Sequence, residues 1–186
     1  MTVTISSVKN PTQKHVVETQ AEFEAAFEAH WSPVYTLLLR LTGDPDEAQD
    51  LALEVFYRLY RNPPASRDGQ SLGGWLYRVA LNLGYNALRA LRRRSRYEQN
   101  AGEQALLQRA AADPADEVER RLERQQVRQV LLRLKPRLAH LLILRYSGLS
   151  YAEIASALQV SPGSVGTLLA RAEQEFEKLY QSEKDT

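Results

Sequence analysis

One segment of the chain combines aromatic, amide and guanidinium side chains at helical spacing, in the sequence WLYRVALNLGYNALRALRRRSRY, residues 75–97. Its polar side chains recur every three to four positions, which places them on one face of a helix. The candidate residues are Trp75, Arg78, Asn82, Asn86 and Arg89, followed by Arg92 and Arg93. Amide and guanidinium groups bond base edges and phosphates, and the rings of Trp75 and Tyr85 could stack on unpaired bases. The segment therefore favours a strand of nucleic acid as its ligand, although a solvated, arginine-rich helix end has the same composition.

A second segment, residues 141–179, contains two helix starts in close succession. The first is a capping box, in which Ser150 and Glu153 each bond a free backbone N–H at the start of a helix. The second is Ser161-Pro162, because serine is a favoured N-cap and proline fits the first helical turn. This spacing predicts a helix-turn-helix whose second helix enters the DNA major groove. The residues left off its apolar stripe are Ser161, Gly163, Ser164, Gly166, Thr167 and Arg171. A small three-helix bundle that binds protein is the alternative.

The composition argues against catalysis and against a bound cofactor or metal ion. Cysteine is absent, and the three histidines, His15, His30 and His140, are scattered along the chain. Neither thiolate sites nor a histidine cluster is therefore indicated. No glycine-rich phosphate loop and no metal-spaced set of ligands occurs in the sequence. The sequence predicts a protein that is not an enzyme and needs no cofactor.

Charge is unevenly distributed, although the formal net charge of the whole chain is only +1. Residues 63–97 contain seven basic residues and one acidic residue, and residues 118–149 contain eight basic and two acidic residues. Acidic blocks alternate with these two, as expected for a protein that meets a polyanion with selected faces. The start of the chain lacks the features of a signal peptide, and no apolar run has bilayer length. We therefore expect a soluble, cytoplasmic protein without membrane insertion.

Helical periodicity without any strand pattern runs through the rest of the chain. Apolar residues at helical spacing predict a helix that begins near Glu22, and the pair Ser32-Pro33 should kink or restart it. Residues 1–19 mix Ser, Thr, Lys and Pro without periodicity and predict a mobile tail. Residues 98–113 are rich in Ala, Gln and acidic residues and predict a linker. The expected fold class is all-α, with two small helical bundles joined by that flexible linker.

A predicted helix from Pro45 to about Arg61 has two distinct faces. Asp44 should cap it, with Glu47 completing a capping box. One face is apolar, and the other has carboxylates at successive helical turns. This acidic stripe consists of Asp46, Asp50 and Glu54. Like charges at this spacing repel one another slightly, so the stripe is either a solvated face or a docking face for a basic partner.

Three segments together resemble the extracytoplasmic-function group of bacterial RNA polymerase sigma factors, within the sigma-70 family. They are, in the family's order, LTGDPDEAQDLALEVFYRLY, GGWLYRVALNLGYNALRALRRR and LRYSGLSYAEIASALQVSPGSVGTLLARA. The resemblance covers the chain from about Glu22 to Tyr180, and it implies a sigma domain two at 20–97 and a sigma domain four at 114–182. It also implies a function without catalysis, namely binding of core RNA polymerase and recognition of promoter DNA for transcription initiation.

The resemblance implies roles for individual residues. In the family the acidic helix docks on the polymerase, and the matching residues here are Asp46, Gln49, Asp50, Glu54 and Phe56. The −10 promoter element would be opened and bound by Trp75, Arg78, Asn82, Asn86, Arg89, Arg92 and Arg93. The −35 element would be bound by Arg145, Tyr151, Ser161, Ser164, Thr167 and Arg171. Control would come from an anti-sigma factor that masks the docking faces, although no stretch of the sequence identifies that partner.

Two departures from the family pattern alter this expectation. Leu53 stands where the family usually has glutamine, which puts one polar contact with the polymerase in question. The recognition helix reads GSVGTLLARAE where GTVKSRLHRAR is common, so Gly166, Leu168 and Glu173 replace basic residues. Each lost phosphate contact lowers the affinity for DNA and flattens its salt dependence by about one unit of slope. We therefore expect weak or unusual −35 binding that depends largely on Arg171 and the helix N-terminus.

Two alternative functions remain open at this point. A stand-alone helix-turn-helix regulator would need a sensor or dimerisation domain, but residues 22–97 show no βαβ pattern and carry an arginine-tailed helix instead. A sigma-like protein with a weakened recognition helix could act mainly through protein contacts. Such a protein would bind polymerase without supporting transcription.

Overall fold

The computed structural model describes residues 17, 19–64, 71–99 and 115–184, and these residues form seven α-helices and no strand. The helices are α1 (Gln20–Thr42), α2 (Pro45–Arg61), α3 (Leu72–Gln99), α4 (Ala115–Arg133), α5 (Pro136–Tyr146), α6 (Tyr151–Leu158) and α7 (Pro162–Lys184). Helices α1 to α3 form a first bundle and α4 to α7 a second, which confirms the predicted all-α class with two helical bundles. The predicted tail and linker lie largely outside the described residues.

Helix α1 runs through Pro33 as a single helix, so the new start that the sequence offered as one possibility at this position does not occur. It begins with a capping box between Thr19 and Glu22 and ends at Gly43, whose φ of 73° is a left-handed conformation that favours glycine. Proline has no N–H, so the carbonyl one turn earlier lacks its helical partner, but Pro33 lies on the exposed side, where water can bond that carbonyl. The opposite, apolar side includes the fully buried Val34, so packing holds the helix together across this position.

Helix α2 begins directly after this turn. Asp44 caps it as predicted, because its carboxylate accepts hydrogen bonds from the N–H groups of Asp46 and Glu47 at 2.9 and 3.0 Å. Glu47 does not complete the expected capping box. The Asp44 N–H instead donates to the hydroxyl of Thr42 at 3.3 Å, and this buried hydroxyl donates to the carbonyl of Leu38 at 3.0 Å. The end of α1 therefore supplies the partner that the glutamate would have supplied.

The first bundle contains an aromatic cluster between α1 and α2. Phe56 is 2% exposed, and its ring centroid lies 4.8 Å from that of Phe27 and 5.9 Å from that of Trp31. This burial differs from the prediction that Phe56 contacts a polymerase, because so buried a side chain has no surface left for a partner. Phe56 instead holds α2, with its acidic stripe, against α1.

Helix α3 packs closely against α1 at Gly84. A Cβ atom there would lie 2.6 Å from Cδ1 of Leu41 and 3.0 Å from Cδ2 of Leu38, so the missing side chain permits the close packing. The helix also begins three residues earlier than predicted. The cause is the hydroxyl of Ser71, which accepts a hydrogen bond from the N–H of Gly74 at 3.1 Å and so caps a turn that the sequence had assigned to a loop.

In the second bundle, α6 and α7 form the predicted helix-turn-helix. The capping box of α6 is present, since the Glu153 N–H donates to the Ser150 hydroxyl at 3.3 Å and the Ser150 N–H donates to the Glu153 carboxylate at 2.8 Å. The turn after α6 uses Gln159, whose φ of 55° is left-handed. At the start of α7 the Ser161 hydroxyl donates to the Ser164 hydroxyl at 3.0 Å. The Ser164 hydroxyl in turn donates to the Ser161 carbonyl at 2.8 Å. These bonds take the place of the predicted bond between the Ser161 hydroxyl and a backbone N–H.

The two bundles pack directly against each other, which the sequence did not predict. Helix α6 lies on the start of α3, where a Cβ atom on Gly74 would be 2.9 Å from the Cβ of Ser156. Farther along α3, the Tyr85 hydroxyl donates to the carbonyl of Leu131 in α4 at 3.2 Å. Buried residues of both bundles therefore form one continuous apolar core.

Replacing Phe56 with alanine should strongly destabilise the first bundle. Truncation of a buried phenylalanine costs about 3–5 kcal/mol, because the cavity that it leaves is only partly filled. The measurement is the free energy of unfolding from a urea titration followed by circular dichroism. Tyr57→Ala is the matched control, since Tyr57 is 57% exposed, and it should change stability by no more than about 0.5 kcal/mol. Equal losses in the two variants would contradict the placement of Phe56 in the core.

Candidate nucleic-acid interface

Helix α2 presents its predicted polar residues to solvent. We refer to Asp46, Gln49, Asp50 and Glu54 as the acidic face. Its first three members are exposed, whereas Glu54 is half-exposed and accepts a 2.7 Å hydrogen bond from Nε of Arg58. Leu53, within this surface, is 47% exposed. The surface therefore suits a partner that offers cationic groups together with some apolar area.

Helix α3 places the predicted nucleic-acid residues in two different environments. We refer to Trp75, Arg78, Asn82, Asn86, Arg89, Arg92 and Arg93 as the α3 face. The two asparagines, Arg89 and Arg93 are exposed. Arg78 and Arg92 are half-buried, and Trp75 is half-buried because its ring packs against the core. Four polar side chains of this face, those of Asn82, Asn86, Arg89 and Arg93, are thus exposed to a ligand, while the tryptophan offers only part of its ring.

Tyr85, which the sequence suggested as a stacking residue, is only 3% exposed. Its ring meets that of His140 edge-on at a centroid distance of 5.2 Å and lies 4.7 Å from the guanidinium carbon of Arg89. Burial raises the pKa of the Tyr85 hydroxyl, and the nearby Arg89 opposes this rise. The hydroxyl therefore stays protonated at neutral pH and keeps its bond to Leu131, so the ring belongs to the contact between the bundles and not to a base.

A cleft of about 450 Å³ separates the middle of α3 from the second bundle. Arg78 and Asn82 line one wall, and Arg137, His140 and Gln159 line the other. Each wall contributes an arginine, so the cleft is suited to an anion such as a phosphate group. Sequence analysis did not single out Arg137, because only the packing of the bundles brings it opposite the α3 face.

Both histidines in the described part of the chain lie near the contact between the bundles. The Nε2 atom of His140 is buried and has no hydrogen-bond partner among the described residues. Burial lowers the pKa of His140, and the positive charge of Arg89 lowers it further. Burial also lowers the pKa of His30, although Glu153 of α6 partly opposes this effect. Both imidazoles are therefore neutral at pH 7.

The helix-turn-helix presents its predicted residues on one connected surface. We refer to Arg145, Tyr151, Ser161, Ser164, Thr167 and Arg171 as the α7 face. The guanidinium of Arg145 lies 5.6 Å from the ring centre of Tyr151, which is 46% exposed. A Cβ atom on Gly166 would be 3.6 Å from the Tyr151 ring. The first residue of α6 therefore lies next to the second turn of α7. This surface is polar but has few cationic groups.

Comparison with known proteins identifies the two bundles. The family Sigma-70 region 2 matches residues 26–94, and the family Sigma-70, region 4 matches residues 124–176. The RNA polymerase sigma-H factor of Pseudomonas aeruginosa is 33% identical over 152 residues, which are 78% of this chain and 79% of that protein. The ECF RNA polymerase sigma factor SigW of Bacillus subtilis is 28% identical over 86% of this chain and 89% of its own length. The chain belongs to the extracytoplasmic-function (ECF) group of sigma-70 sigma factors.

A solved structure shares the fold of this ECF sigma factor. CnrH, in complex with the cytosolic domain of CnrY, aligns with a TM-score of 0.57 at 17% sequence identity, covering 88% of this chain and 90% of that chain. The family confirms the predicted function: this sigma factor binds core RNA polymerase and directs transcription initiation at promoter DNA, with no catalysis of its own. It therefore is not a stand-alone helix-turn-helix regulator.

Within the described ranges, no group of three or more His, Asp or Glu side chains is arranged to hold a metal ion. Among the helices that the structure describes, none has both the length and the apolar character required to cross a membrane.

Acidification should weaken the packing between the two sigma domains. His140 faces Tyr85 and Arg89 of α3, and His30 lies near Glu153 of α6. The pKa of each histidine is lowered in the packed state, so this state binds fewer protons than the unfolded chain, in which the pKa is about 6.5. The stability from this source is complete above about pH 6.5 and decreases as the pH falls below that value towards the lowered pKa.

The measurement is the loss of thermal stability between about pH 7.5 and about pH 5.5. His140→Phe keeps an aromatic ring against Tyr85 but does not titrate, and His30→Phe serves the same purpose at the other site. The double variant should lose less stability than the natural protein over this range. An identical loss in both proteins would contradict the role given to the histidines.

Proposed function

We propose that this sigma factor acts through three separate surfaces: the acidic face for core polymerase, the α3 face for the −10 element and the α7 face for the −35 element. Domain two would span residues 20–97 and domain four residues 114–182, with 98–113 as the linker. The observation that carries the proposal is the row of exposed amide and guanidinium groups on α3, within the match to Sigma-70 region 2. Because the surfaces lie on different helices, one chain can hold polymerase and both promoter elements together.

The acidic face supports polymerase docking through its uncompensated charge. Asp46 and Asp50 are exposed and lie one helical turn apart, whereas Glu54 already bonds Arg58. The two aspartates therefore supply most of the attraction for a basic partner surface. Buried Phe56 acts indirectly, since it fixes α2 against α1 and so keeps the aspartates in position.

The α3 face supports capture of an unpaired −10 strand. Asn82 and Asn86 are one turn apart, about 6 Å along the helix axis, so they can reach different bases. Amide groups bond base edges, which unpaired bases expose. Arg89, Arg92 and Arg93 continue the row and are suited to the phosphates of the same strand.

The α7 face supports only weak binding of the −35 element. Arg145 and Arg171 are its only cationic members, and the remaining polar groups are hydroxyls. The free N–H groups at the start of α7 add a site for one phosphate. Domain two would therefore contribute more to promoter binding than domain four.

We also infer that the protein works in the cytoplasm and is controlled by a protein partner. The related fold of CnrH was solved with the cytosolic domain of CnrY, which supports control through a bound protein. The acidic face and the α3 face are the surfaces that such an anti-sigma factor would have to mask.

Co-elution with core RNA polymerase, followed by run-off transcription from pooled genomic fragments, tests the proposed function. Binding together with new, discrete start sites is the expected result. Alignment of those sites would show whether a −35 element is used. Binding without any start site would instead support action through protein contacts, and absence of binding would contradict the docking role of the acidic face.

Neutralising the acidic face should weaken polymerase binding. The variant Asp46→Asn, Asp50→Asn removes two exposed charges without changing side-chain shape. Loss of two surface ion pairs is worth about 0.4–2 kcal/mol, which is roughly a twofold to thirtyfold increase in Kd. The affinity for core polymerase can be measured by fluorescence anisotropy at low and high salt. The difference in affinity between the double variant and the natural protein should become smaller as the salt concentration rises.

The matched control for this experiment is Glu24→Gln, Glu28→Gln, which removes two exposed charges from α1. It alters the net charge by the same amount, so it should leave the affinity for polymerase nearly unchanged. Equal weakening by both double variants would show that net charge, and not the acidic face, determines the affinity.

Introducing a cation into the recognition helix should strengthen −35 binding. Gly166→Lys has room, because a Cβ atom there makes only an ordinary contact with Tyr151. One additional phosphate contact should steepen the dependence of log K on log salt by about one unit. Gly166→Gln is the control, since it gives the same gain in helix propensity without a charge. A similar salt slope for both variants would contradict the placement of α7 along the DNA backbone.

A further inference from the structure

An apolar cavity of about 430 Å³ lies where the end of α1 meets α4, α5 and α7. Its volume is within the range of roughly 300–1,000 Å³ that is typical of sites for small molecules. The residues that line it lie outside the acidic face, the α3 face and the α7 face. The cavity is therefore separate from the three surfaces of the proposed function. Its apolar lining consists of Leu41, Val127, Leu131, Leu142, Ile143 and Phe176.

The lining of this cavity is apolar at its inner end and polar at its mouth. Leu41 and Leu142 are buried, whereas Arg40, Tyr146 and Glu173 are exposed. A molecule that fills the cavity therefore meets apolar side chains along most of its length and polar side chains at one end. Such a site suits a ligand with an apolar body and a single polar group.

Hydrogen-bond donors prevail among the polar groups of the lining. The guanidinium of Arg40 can only donate and the hydroxyls of Tyr146 and Ser147 can also donate, whereas the carboxylate of Glu173 can only accept. Within the described residues, Arg40 forms no ion pair with Glu173 or with another carboxylate. An unpaired cation at the mouth of an apolar cavity favours a ligand whose polar group is an anion.

The hydroxyl of Ser147 is a second, independent indication of a ligand. Its Oγ atom is buried and has no hydrogen-bond partner among the described residues. Native proteins rarely leave a buried hydroxyl without a partner, because its lost bonds to water are then not replaced. A carboxylate has two acceptor oxygens, so it can accept a hydrogen bond from this hydroxyl and another from Arg40.

Positive charge is also in excess next to the cavity. The guanidinium of Arg128 covers the turn at Gly43, two residues after Leu41 of the lining, where a Cβ atom would lie 2.7 Å from its Nη1. Burial lowers the pKa of Arg128, and the like charge of Arg124 lowers it further. This corner of the protein therefore attracts an anion more strongly than a cation.

We propose that this cavity binds a small amphipathic carboxylate, whose apolar body contacts Leu41, Leu142 and Ile143 and whose carboxylate accepts hydrogen bonds from Arg40 and Ser147. The proposal goes beyond polymerase and promoter binding, since it adds a site for a small molecule to the same chain. The lining comes from α1 of domain two and from three helices of domain four, so the bound carboxylate contacts both domains.

Isothermal titration calorimetry of the full chain with octanoate, octylamine and octanol tests the proposal. These probes share one apolar body and differ in the polar end. Octanoate should bind most tightly, as a single molecule per chain, because only its carboxylate suits the donors at the mouth. Heptanoate, with one methylene group fewer, should bind roughly fourfold more weakly than octanoate. Equal affinities for the probes, or no binding of octanoate, would overturn the proposal.

Filling the cavity should abolish the binding of octanoate. Val127→Trp places an indole in the lining, where the ligand would lie. Leu122→Trp is the matched control, because Leu122 is on the same helix, lies outside the lining and is 61% exposed. Circular dichroism checks that both variants keep their helix content. Unchanged octanoate binding by a folded Val127→Trp variant would overturn the proposal.

Removing the cation at the mouth tests the proposal without changing the apolar lining. Arg40→Gln should raise the Kd of octanoate roughly 1.5-fold to fivefold and leave that of octanol unchanged, because only octanoate has a charge to lose. Arg61→Gln is the matched control, since it removes an exposed arginine from α2 and should change neither Kd. An equal effect of Arg40→Gln on both probes would count against a carboxylate as the ligand.

An apolar segment of a protein partner is the other occupant that such a cavity could receive. In that case the natural protein would not bind octanoate, and Val127→Trp would weaken the binding of core polymerase while Leu122→Trp would not. This combination would overturn the proposal. The calorimetry uses the free protein, so its outcome is independent of whether the chain supports transcription.

Discussion

Helix α3 packs against two other helices through glycines, and this close packing on two sides determines how the rest of the molecule is arranged. Gly84 permits contact with α1, and Gly74 permits contact with α6. A helix has only 3.6 residues per turn, so two packed sides leave a narrow third side for polar groups. Asn82 and Asn86 lie on that side. Core packing, contact between domains and the proposed binding of the −10 strand therefore share one helix.

Acidic and basic side chains of the protein lie on different helices. The acidic face lies on α2, while the arginines of the α3 face follow on the next helix. The interface between the domains uses few of these charges, since Gly74, Ser156, Tyr85 and Leu131 meet through small groups and hydrogen bonds. DNA binding, in contrast, depends on phosphate contacts and weakens with salt.

Much of the fold could be predicted because the relevant signals are local. The capping box of Ser150 and Glu153 involves residues three positions apart, and the structure confirms it. The candidate residues of α3 could also be predicted as a row, because helical spacing alone aligns them. The sequence could not predict which of the candidate side chains are exposed to a ligand and which are buried. Tyr85 was expected to stack on bases, and Phe56 was assigned to polymerase contact by the family resemblance alone, but both are buried by partners distant in the chain.

The structure also differs from the sequence predictions at Pro33 and Glu47, and tertiary contacts are again the cause. Pro33 does not interrupt α1, because burial of the opposite side of the helix outweighs one missing hydrogen bond. Glu47 does not complete a capping box, because Thr42 at the end of the preceding helix already accepts the Asp44 N–H. In both cases a tertiary contact has a larger effect than the local sequence signal.

The sequence by itself determined the family, the helical class, the helix-turn-helix and the order in which the three proposed binding surfaces follow one another along the chain. These properties follow from caps, periodicity and motifs, whose physical basis is confined to a few helical turns. Only the tertiary structure decided that Tyr85 serves the interface between domains, that Arg137 lies across a cleft from Arg78, and that domain four covers part of α3. These features depend on how closely two helices can approach, which small residues at both contact points determine together.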